Sequence, residues 1–421
     1  VNGIDFGTLR DYRLRVVKTM VGGLAGLLAH RGITVFRANA AFHADETAPA
    51  TSNHIVHLVP SPDQSDILTY HKADVPEPSG PTMDLTATNI VIATGAKPRP
   101  LPGNPFAGAL IDSTQALEVN EFPSSAVIIG AGAIALEFAS MWNAAGSKVT
   151  LLIRKDRVLS AWDRRAGTTL TRELKRHGVN IITRASVTHV DTGANLGATV
   201  HYTREGQDGE QSVWGEIALV AIGRDPITDP AWGVTIDDHG HVATDAYGRT
   251  DKPGVWAVGD VTAGHALAHR AFEQGIVIAE TIAGLNPKPV DEATVPQIVF
   301  SFPEAASVGL TVEQAQARED LIEIKETNYP MLANARMLMS GTAGSLTIVS
   351  GCDATNPDTP RVLGVHMVSQ MASDIIAEAE QLVGNRVPLA DAARLVHPHP
   401  TFSETLGEAL LKADGRPLHT R

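Results

Sequence analysis

The stretch HPHPTFSE at residues 397–404 contains a histidine and a glutamate, His399 and Glu404, close enough for a turn to bring them together. An imidazole changes charge near neutral pH, and a carboxylate on one ring nitrogen fixes the tautomer and favours the imidazolium. The pair therefore predicts a general base. A second interpretation is open from these residues alone, because Thr401 and Glu404 fit the capping box of a helix N-terminus. We expect one glutamate to serve one of these roles and not both.

A glycine-rich turn predicts a site for a dinucleotide. In AVIIGAGAIALEFASMWNAAGSKVTLLI (126–153), a β-branched run enters Gly130-x-Gly132-x-x-Ala135, a helical stretch follows, and a second strand closes the unit. The first glycine makes the tight turn, the second admits the diphosphate, and the small third residue lets helix pack on strand. The helix N-terminus then offers free amides to the diphosphate. The alternative is a purely structural glycine-rich turn.

The end of the second strand indicates which nicotinamide cofactor would bind. NAD sites place a carboxylate there for the ribose 2′-hydroxyl, whereas NADP sites need positive charge for the 2′-phosphate. This chain has Ile153 followed by Arg154 and Lys155. The missing acid favours NADP(H), although a basic loop that faces solvent would have the same sequence.

Two further strand ends could contact a second dinucleotide. The apolar run in NIVIATGAKPRPLPG (89–103) ends in Thr94-Gly95-Ala96, and KPGVWAVGDVTAGHALAHRAFEQG (252–275) has Asp260 directly after a glycine at a strand end. Such an aspartate could accept hydrogen bonds from a sugar-like chain, while the amides beyond it face a phosphate. Each stretch alone would also fit an ordinary strand–turn–helix.

Composition narrows the classes of function. A chain of 421 residues predicts about two to four domains. Its net charge of −13 disfavours nucleic acid and anionic membrane surfaces as partners. The sequence has no apolar run of membrane-spanning length and no signal-peptide pattern at its first residues, so we expect a cytoplasmic protein. The single cysteine, Cys352, excludes an intrachain disulfide within this sequence and is expected to be a passive surface thiol in a turn. We expect no metal site.

Together these stretches resemble the FAD-dependent pyridine nucleotide-disulfide oxidoreductases, and the resemblance spans essentially the whole chain. The tail is closest to the dihydrolipoamide dehydrogenase branch, whereas GAGAIALEFA and LLIRKDRVL resemble the NADPH-using glutathione reductase branch. Further matching stretches are VPQIVFSFPEAASVGLTVEQA (295–315) and VLGVHMVSQMASDIIAEA (362–379), which resemble the family's interface domain.

The resemblance implies roles for individual residues. His399 would deprotonate a substrate thiol, Glu404 would orient it, and both would act in the partner subunit of a homodimer formed through residues 293–421. The residues that it places at FAD are Ala38, Thr94, Gly95, Ala96, Asp260, Leu267, Ala268 and His269. The residues that it places at NAD(P) are Gly130, Gly132, Ala135, Glu137, Ile153, Arg154, Lys155, Val187 and Gly223.

The sequence departs from the family pattern at its start. Family members carry a first FAD-binding GxGxxG unit and a Cys-x-x-x-x-Cys redox pair, and neither occurs in this sequence. GGLAGLLAHRG (22–32) is not a substitute, because residues 14–28 predict one continuous helix. Glu137 would then lack the lysine with which the family pairs it. Three explanations are open: the sequence is a truncated form, its first segment was not recorded, or the chain is a true variant.

The expected fold class is α/β, with two Rossmann-like dinucleotide-binding domains, the FAD domain being truncated at its N-terminus, and an α+β C-terminal dimerisation domain. Residues 61–86 are expected to form a loop or exposed hairpin. The predicted domains are 1–107 (first part of the FAD domain), 108–232 (NAD(P) domain), 233–292 (returning FAD segment) and 293–421 (dimer interface).

Three functions remain open from the sequence. The first is an FAD-dependent dithiol/disulfide oxidoreductase of the dihydrolipoamide dehydrogenase or glutathione reductase type, in which His399 handles the thiol proton. The second keeps both cofactors without thiol chemistry, as in a quinone or transhydrogenase-type reductase. The third is a non-catalytic dimer that binds a nicotinamide nucleotide.

Overall fold

The computed structural model describes residues 4–43, 53–70, 76–193 and 197–420. The chain mixes helices and strands, and they alternate regularly only from α2 to β12. The helices are α1 Phe6–His30, α2 Ser113–Leu117, α3 Ala133–Ala144, α4 Arg164–Arg176, α5 Ala268–Ile282, α6 Val312–Gln316, α7 Ala335–Ser340, α8 Ala372–Gly384, α9 Leu389–Ala392 and α10 Glu404–Ala413.

The strands are short in the first part of the chain and longest in the last. The first twelve are β1 Val35–Arg37, β2 Asn39–Phe42, β3 His54–Val59, β4 Leu68–Tyr70, β5 Pro76–Pro78, β6 Met83–Ala87, β7 Ile90–Ile92, β8 Ala96–Pro98, β9 Leu110–Ile111, β10 Ser125–Ile129, β11 Lys148–Ile153 and β12 Asn180–Thr183. The others are β13 Ala185–Asp191, β14 Ala198–Arg204, β15 Gln211–Gly215, β16 Ile217–Val220, β17 Arg224–Pro226, β18 Val255–Ala257, β19 Gln297–Val299, β20 Glu304–Gly309, β21 Leu321–Pro330, β22 Ser345–Asp353 and β23 Asn356–Ser369.

The chain divides into two compact units, one of Val1–Lys97 with Asp225–Val290 and one of Pro98–Arg224 with Asp291–Arg421. The four predicted domains, with boundaries after residues 107, 232 and 292, stay a prediction. Among the described helices, none combines the length and the apolar character that a membrane crossing requires.

The first unit contains small sheets and two long helices. Strand β7 pairs in parallel with β18, and antiparallel sheets form in the orders β1-β4-β5 and β2-β3-β6. A small core surrounds the parallel pair, with Phe42 stacked on Trp232 at a centroid distance of 5.9 Å. The helix predicted over residues 14–28 is confirmed as part of α1, which Asp5 caps through the Thr8 amide.

Part of the polar stretch 61–86 forms a hairpin, which is one of the two forms that we expected for it. Strand β4 pairs antiparallel with β5, while residues 71–75 lie outside the described part of the chain. The stretch is not exposed throughout, because Ile67 is completely buried.

The second unit has a parallel sheet in the order β12-β11-β10-β16-β9, a three-stranded meander β13-β14-β15, and an antiparallel sheet in the order β19-β20-β23-β22-β21. Branched residues of β10 and β11 pack against α3 and α4 in the core beneath the glycine-rich turn. A separate core forms where α8, α9 and α10 cover the antiparallel sheet. This sheet and its helices hold the tail that contains His399.

The expectation for Cys352 was wrong. It lies in β22 and not in a turn, its side chain is completely buried, and burial raises the pKa of the thiol. The adjacent Gly351 serves packing, since a Cβ there would lie 2.6 Å from the Cδ1 atom of Ile324. Cys352 is therefore not a surface thiol.

Candidate functional site

The glycine-rich turn has the geometry that its sequence predicts. Gly130 ends β10 with φ of +143°, and a Cβ there would overlap the carbonyl oxygen of Ala221. Ala135 is completely buried and lies 3.4 Å from the same position, so a larger residue would push the helix off the strand. Both residues are thus required by close packing between strand, turn and helix.

The start of α3 is open to a ligand. Gly132 is the N-cap, it makes no side-chain cap, and a Cβ placed on it would meet no atom within 4 Å. The first amides of a helix carry partial positive charge and lack partners inside the helix. These amides, with the space over Gly132, fit the diphosphate of a dinucleotide.

The end of β11 carries the residues on which the cofactor preference depends. Arg154 and Lys155 are exposed directly after the strand, whereas the side chain of Ile153 is only 1% exposed and packs in the core. The buried side chain of Ile153 offers no acceptor, and its place at the nucleotide site stays a prediction. Val187 is half-buried in β13, and Gly223 follows β16 with φ of +136°.

Glu137 has a backbone partner that the sequence did not predict. Its carboxylate accepts a hydrogen bond from the Phe300 amide at 3.1 Å. Burial raises the pKa of this carboxyl, and the Phe300 amide opposes that shift. The residue lies on α3 beyond the open amides, where it joins the helix to the connection between β19 and β20 of the antiparallel sheet.

The FAD residues implied by the resemblance lie in the first unit. Gly95 adopts φ of +71°, and its carbonyl accepts a hydrogen bond from the Ile227 amide at 2.9 Å. The hydroxyl of Thr94 donates a hydrogen bond to the Ile227 carbonyl at 2.6 Å. These bonds fix the turn after β7, which continues into β8 at Ala96.

Asp260 and the start of α5 form a second part of this region. Asp260 is half-buried in a single 3-10 turn, Gly259–Val261, directly after β18. Leu267 precedes α5 without a side-chain cap, and Ala268 and His269 are exposed in its first turn. Uncapped amides near a carboxylate fit a diphosphate and a ribityl-type hydroxyl chain. Ala38 is half-buried between β1 and β2.

The tail brings His399 and Glu404 together. The Nδ1 atom of His399 lies 2.7 Å from Oε1 of Glu404, and the Thr401 amide donates to Oε2 of the same carboxylate at 2.7 Å. Glu404 thus contacts both residues, with one carboxylate oxygen for each partner. A reciprocal capping box does not form, because the Thr401 hydroxyl donates to the Pro398 carbonyl and α10 begins only at Glu404.

The exposure of the two side chains fits a base and its orienting group. The side chain of His399 is 78% exposed, whereas that of Glu404 is 23% exposed. Partial burial acts to raise the pKa of Glu404, but the Thr401 amide and His399 outweigh it and hold the pKa below its ordinary value. An ionised Glu404 accepts a hydrogen bond from the N–H group at Nδ1 of His399, and this leaves Nε2 as the basic nitrogen.

Sequence reasoning missed His397, the first histidine of HPHP. Its Nε2 atom lies 2.9 Å from Oε1 of Glu378 on α8, and the side chain is 9% exposed. The hydrogen bond to Glu378 raises the pKa of His397. A Cβ at Gly407 would overlap this ring, so the glycine inside α10 was the available signal.

Comparison with known proteins agrees with this geometry. The family model described as pyridine nucleotide-disulphide oxidoreductase matches residues 5–275, and its dimerisation domain matches residues 295–410. The dihydrolipoyl dehydrogenase of Geobacillus stearothermophilus is 31% identical over 421 residues, which cover 99% of this chain and 82% of the relative. That of Cupriavidus necator is 37% identical over 341 residues, which cover 80% of this chain and 70% of the relative.

Solved structures show the same architecture. LpdA from Mycobacterium tuberculosis matches 98% of this chain and 84% of its own with a TM-score of 0.82, and at 24% identity the likeness concerns the fold. The HOCl-induced flavoprotein disulfide reductase RclA from Escherichia coli is 26% identical, has a TM-score of 0.69, and matches 78% of this chain and 74% of its own.

These matches confirm the expected fold class and enzyme class, FAD-dependent NAD(P) disulfide oxidoreductase. FAD and a pyridine nucleotide are the family's cofactors, and the dimerisation domain supports a homodimer. The chain belongs to the pyridine nucleotide-disulphide oxidoreductase family.

Proposed function

We propose that this protein oxidises or reduces a small or protein-bound dithiol, in the manner of a dihydrolipoamide dehydrogenase, with His399 as the base for the thiol. The observation that carries the proposal is the 2.7 Å contact between His399 Nδ1 and Glu404 Oε1, with an imidazole that is largely exposed. An exposed ring with a fixed tautomer can reach a substrate that is presented from outside this subunit.

The proton step follows from that geometry. Nε2 of His399 takes the proton of a substrate thiol, and the imidazolium that forms is stabilised by the ionised Glu404. The product is a thiolate, which is the nucleophile in disulfide exchange. We assign this step to the active site of the partner subunit in a homodimer.

The cofactor-binding residues are part of the proposal. FAD would be held through the Thr94-Gly95-Ala96 turn, Asp260 and the start of α5, and the nicotinamide nucleotide through the Gly130–Ala135 turn. When bound, the two cofactors supply hydride and electron transfer. The chain's own contribution is to bind the diphosphates at helix starts and to hold the proton at His399.

We assign NADP(H) as the preferred nucleotide. Arg154 and Lys155 are exposed where a 2′-phosphate would lie, and an arginine can meet a phosphate with paired hydrogen bonds. We also expect the protein to act in the cytoplasm.

The test of the base is His399→Gln in the FAD-loaded enzyme that carries its family's cysteine pair. Turnover of dihydrolipoamide should fall by about 100- to 10,000-fold, as for loss of general acid–base catalysis. Reduction of the flavin by NAD(P)H should stay nearly normal. His419→Gln is the matched control, because that exposed imidazole also has its Nδ1 on a glutamate, Glu408, at 2.8 Å. Unchanged thiol turnover in His399→Gln would leave the tail with a structural role only.

A reductase without thiol chemistry is the second candidate. The sequence has a single cysteine, and Cys352 is buried in β22 with a raised pKa, so it is not poised as a redox thiol. NAD(P)H-dependent reduction of a quinone that is insensitive to both His399→Gln and thiol alkylation would favour this candidate. A chain that binds nucleotide and dimerises but shows neither activity would be the non-catalytic third possibility.

A further inference from the structure

The meander of the second unit carries a cluster of histidines and carboxylates that the proposed function does not use. His189 on β13 and His201 on β14 are cross-strand partners, and their rings stack at a centroid distance of 4.1 Å with an interplanar angle of 8°. Glu210, just before β15, faces one edge of both rings, and Asp191 faces the other edge. Sequence reasoning did not predict this cluster, because its residues come from two strands and a loop.

The hydrogen-bonding capacity of the rings is insufficient for this arrangement. The Nδ1 atoms of His189 and His201 lie 3.8 and 3.6 Å from Glu210, and their Nε2 atoms lie 3.8 and 3.1 Å from Asp191. All four ring nitrogens thus face a carboxylate. A neutral imidazole carries one N–H, so at most two of the four nitrogens can donate to these carboxylates. Among the four contacts, only Nε2 of His201 lies within hydrogen-bond distance, 3.1 Å from Asp191, and Nδ1 of His189 lies 3.4 Å from the Thr188 hydroxyl. The two Nδ1 atoms and Glu210 therefore leave room for a cation between them.

Protonating both rings is an unfavourable solution, since it stacks two positive charges about 4 Å apart. Within the described residues, the ion pairs of Asp191 and Glu210 are all with these two histidines. Two carboxylates and two neutral imidazoles together balance the charge of one divalent cation.

We propose that His189, His201 and Glu210 form a binding site for a divalent transition-metal ion of the Zn²⁺ class. The three residues can offer ligand atoms that all lie within 4.8 Å of one another. Two imidazoles and a carboxylate are a donor set that suits Zn²⁺, Ni²⁺ or Cu²⁺, whereas Mg²⁺ and Ca²⁺ prefer oxygen alone. Zinc bonds of about 2.0–2.1 Å require the ligand atoms to draw closer, by pivoting of two partly exposed rings.

The groups behind the ligands have part of the arrangement that metal sites use. Nε2 of His201 lies 3.1 Å from Asp191, and Nε2 of His189 lies 3.8 Å from it. A hydrogen bond from Nε2–H to Asp191 selects the tautomer with Nδ1 free for the metal. The Thr188 hydroxyl donates to Oε1 of Glu210 at 2.6 Å and so orients the third ligand. The ion would occupy the Nδ1 edge, and water would complete its coordination.

The experiment is calorimetric titration of the purified protein with ZnCl₂, after treatment with a chelator. We expect one Zn²⁺ per chain and no comparable binding of MgCl₂. Asp191→Asn should weaken Zn²⁺ binding by about 10- to 100-fold, which is typical when a residue that hydrogen-bonds a metal ligand is replaced. The double variant His189→Asn with His201→Asn should lose more Zn²⁺ affinity than Asp191→Asn does. Zn²⁺ should raise the melting temperature of the wild type but not that of the double variant.

A matched control removes two other exposed imidazoles. His57→Asn with His419→Asn deletes rings that each contact a single carboxylate, Asp84 and Glu408. This control should bind Zn²⁺ as the wild type does. Retained wild-type affinity in the His189 and His201 variant, or equal loss in the control, would overturn the proposal. Circular dichroism without metal checks that both variants are folded.

Discussion

Glu404 contacts His399 and the Thr401 amide through different carboxylate oxygens, each at 2.7 Å. The same side chain therefore orients the proposed base and fixes the backbone of the turn that carries it. Because the turn leads directly into α10, the position of the imidazole is tied to a helix that packs in the core of the antiparallel sheet. The base lies in a bend that hydrogen bonds tie to the start of α10, although its ring is exposed.

This double role predicts the behaviour of Glu404→Gln. A glutamine that keeps the hydrogen bond from the Thr401 amide turns its NH2 group toward Nδ1 of His399, and this partner favours the tautomer with its proton on Nε2. We expect thiol turnover to fall, though less than in His399→Gln, and flavin reduction by NAD(P)H to be unaffected. The melting temperature should drop slightly, because a neutral amide oxygen accepts a weaker hydrogen bond from the Thr401 amide than a carboxylate does.

Glu408→Gln is the control for this change. Glu408 also accepts from a ring nitrogen and a backbone amide, both of His419, at 2.8 and 3.3 Å. It should leave thiol turnover unchanged. A Glu404→Gln enzyme with wild-type turnover would show that His399 needs no orienting carboxylate.

The glycine-rich turn allows a comparison of two neighbouring glycines. Gly130→Ala places a Cβ against the Ala221 carbonyl at a φ of +143°, so it should destabilise the fold by several kcal/mol, on the order of other buried overpacking changes. Gly132→Ala meets no atom within 4 Å and should fold normally.

Nucleotide binding should separate these variants further. A methyl group at position 132 lies over the open amides of α3, so the affinity for NAD(P)H should fall although the melting temperature does not. Chemical denaturation and nucleotide titration measure the two effects. Normal nucleotide affinity in Gly132→Ala would argue against a diphosphate at this helix start.

Cofactor preference can be tested without touching the core. Because Ile153 is buried, an acid placed there would add a buried charge and confuse binding with stability. Arg154→Ala with Lys155→Ala removes only exposed side chains. NADPH affinity should fall by about 1.5–3 kcal/mol per lost charge-assisted contact, NADH affinity should hardly change, and the wild-type preference should shrink as salt rises.

The control is Arg172→Ala with Lys175→Ala, which removes the same charge from exposed positions of α4. It should leave the preference intact. Equal or tighter binding of NADH by the wild type would mean that Arg154 and Lys155 face solvent, as a basic loop would.

Local sequence patterns predicted the elements around the turn well. The strand, helix and strand expected over residues 126–153 are β10, α3 and β11, and the helix expected over 14–28 lies within α1. These predictions succeeded because periodicity and glycine positions are local properties. Gly130 was predicted as the residue of the tight turn, whereas its close approach to the Ala221 carbonyl was not predicted.

The errors concern properties that distant residues decide. Cys352 is buried because β22 lies between two other strands, and Gly351 beside it, which resembles a turn signal, is a packing residue. Glu137 finds its partner 163 positions away, and the His189 and His201 pair depends on the register of two strands. No local pattern carries such information.

The ion pair of His397 and Glu378 predicts a pH-dependent contribution to stability. The pKa of His397 is raised above its ordinary 6.5, first by the hydrogen bond to Glu378 and against the effect of burial. The folded state therefore holds this proton more tightly than the unfolded state does. The stabilisation is fully present below pH 6.5 and is lost as the pH rises through the raised pKa.

His397→Gln should thus destabilise the protein most near pH 6 and least at alkaline pH, with a difference on the order of 1 kcal/mol, since Glu378 is partly exposed to screening solvent. Urea unfolding of both proteins between about pH 6 and pH 9, a window that brackets the ordinary histidine value, measures this. His419→Gln, whose ring is 67% exposed, should show no such trend. A difference between wild type and His397→Gln that stays constant over this range would show that the ring contributes through packing against Gly407 and not through its charge.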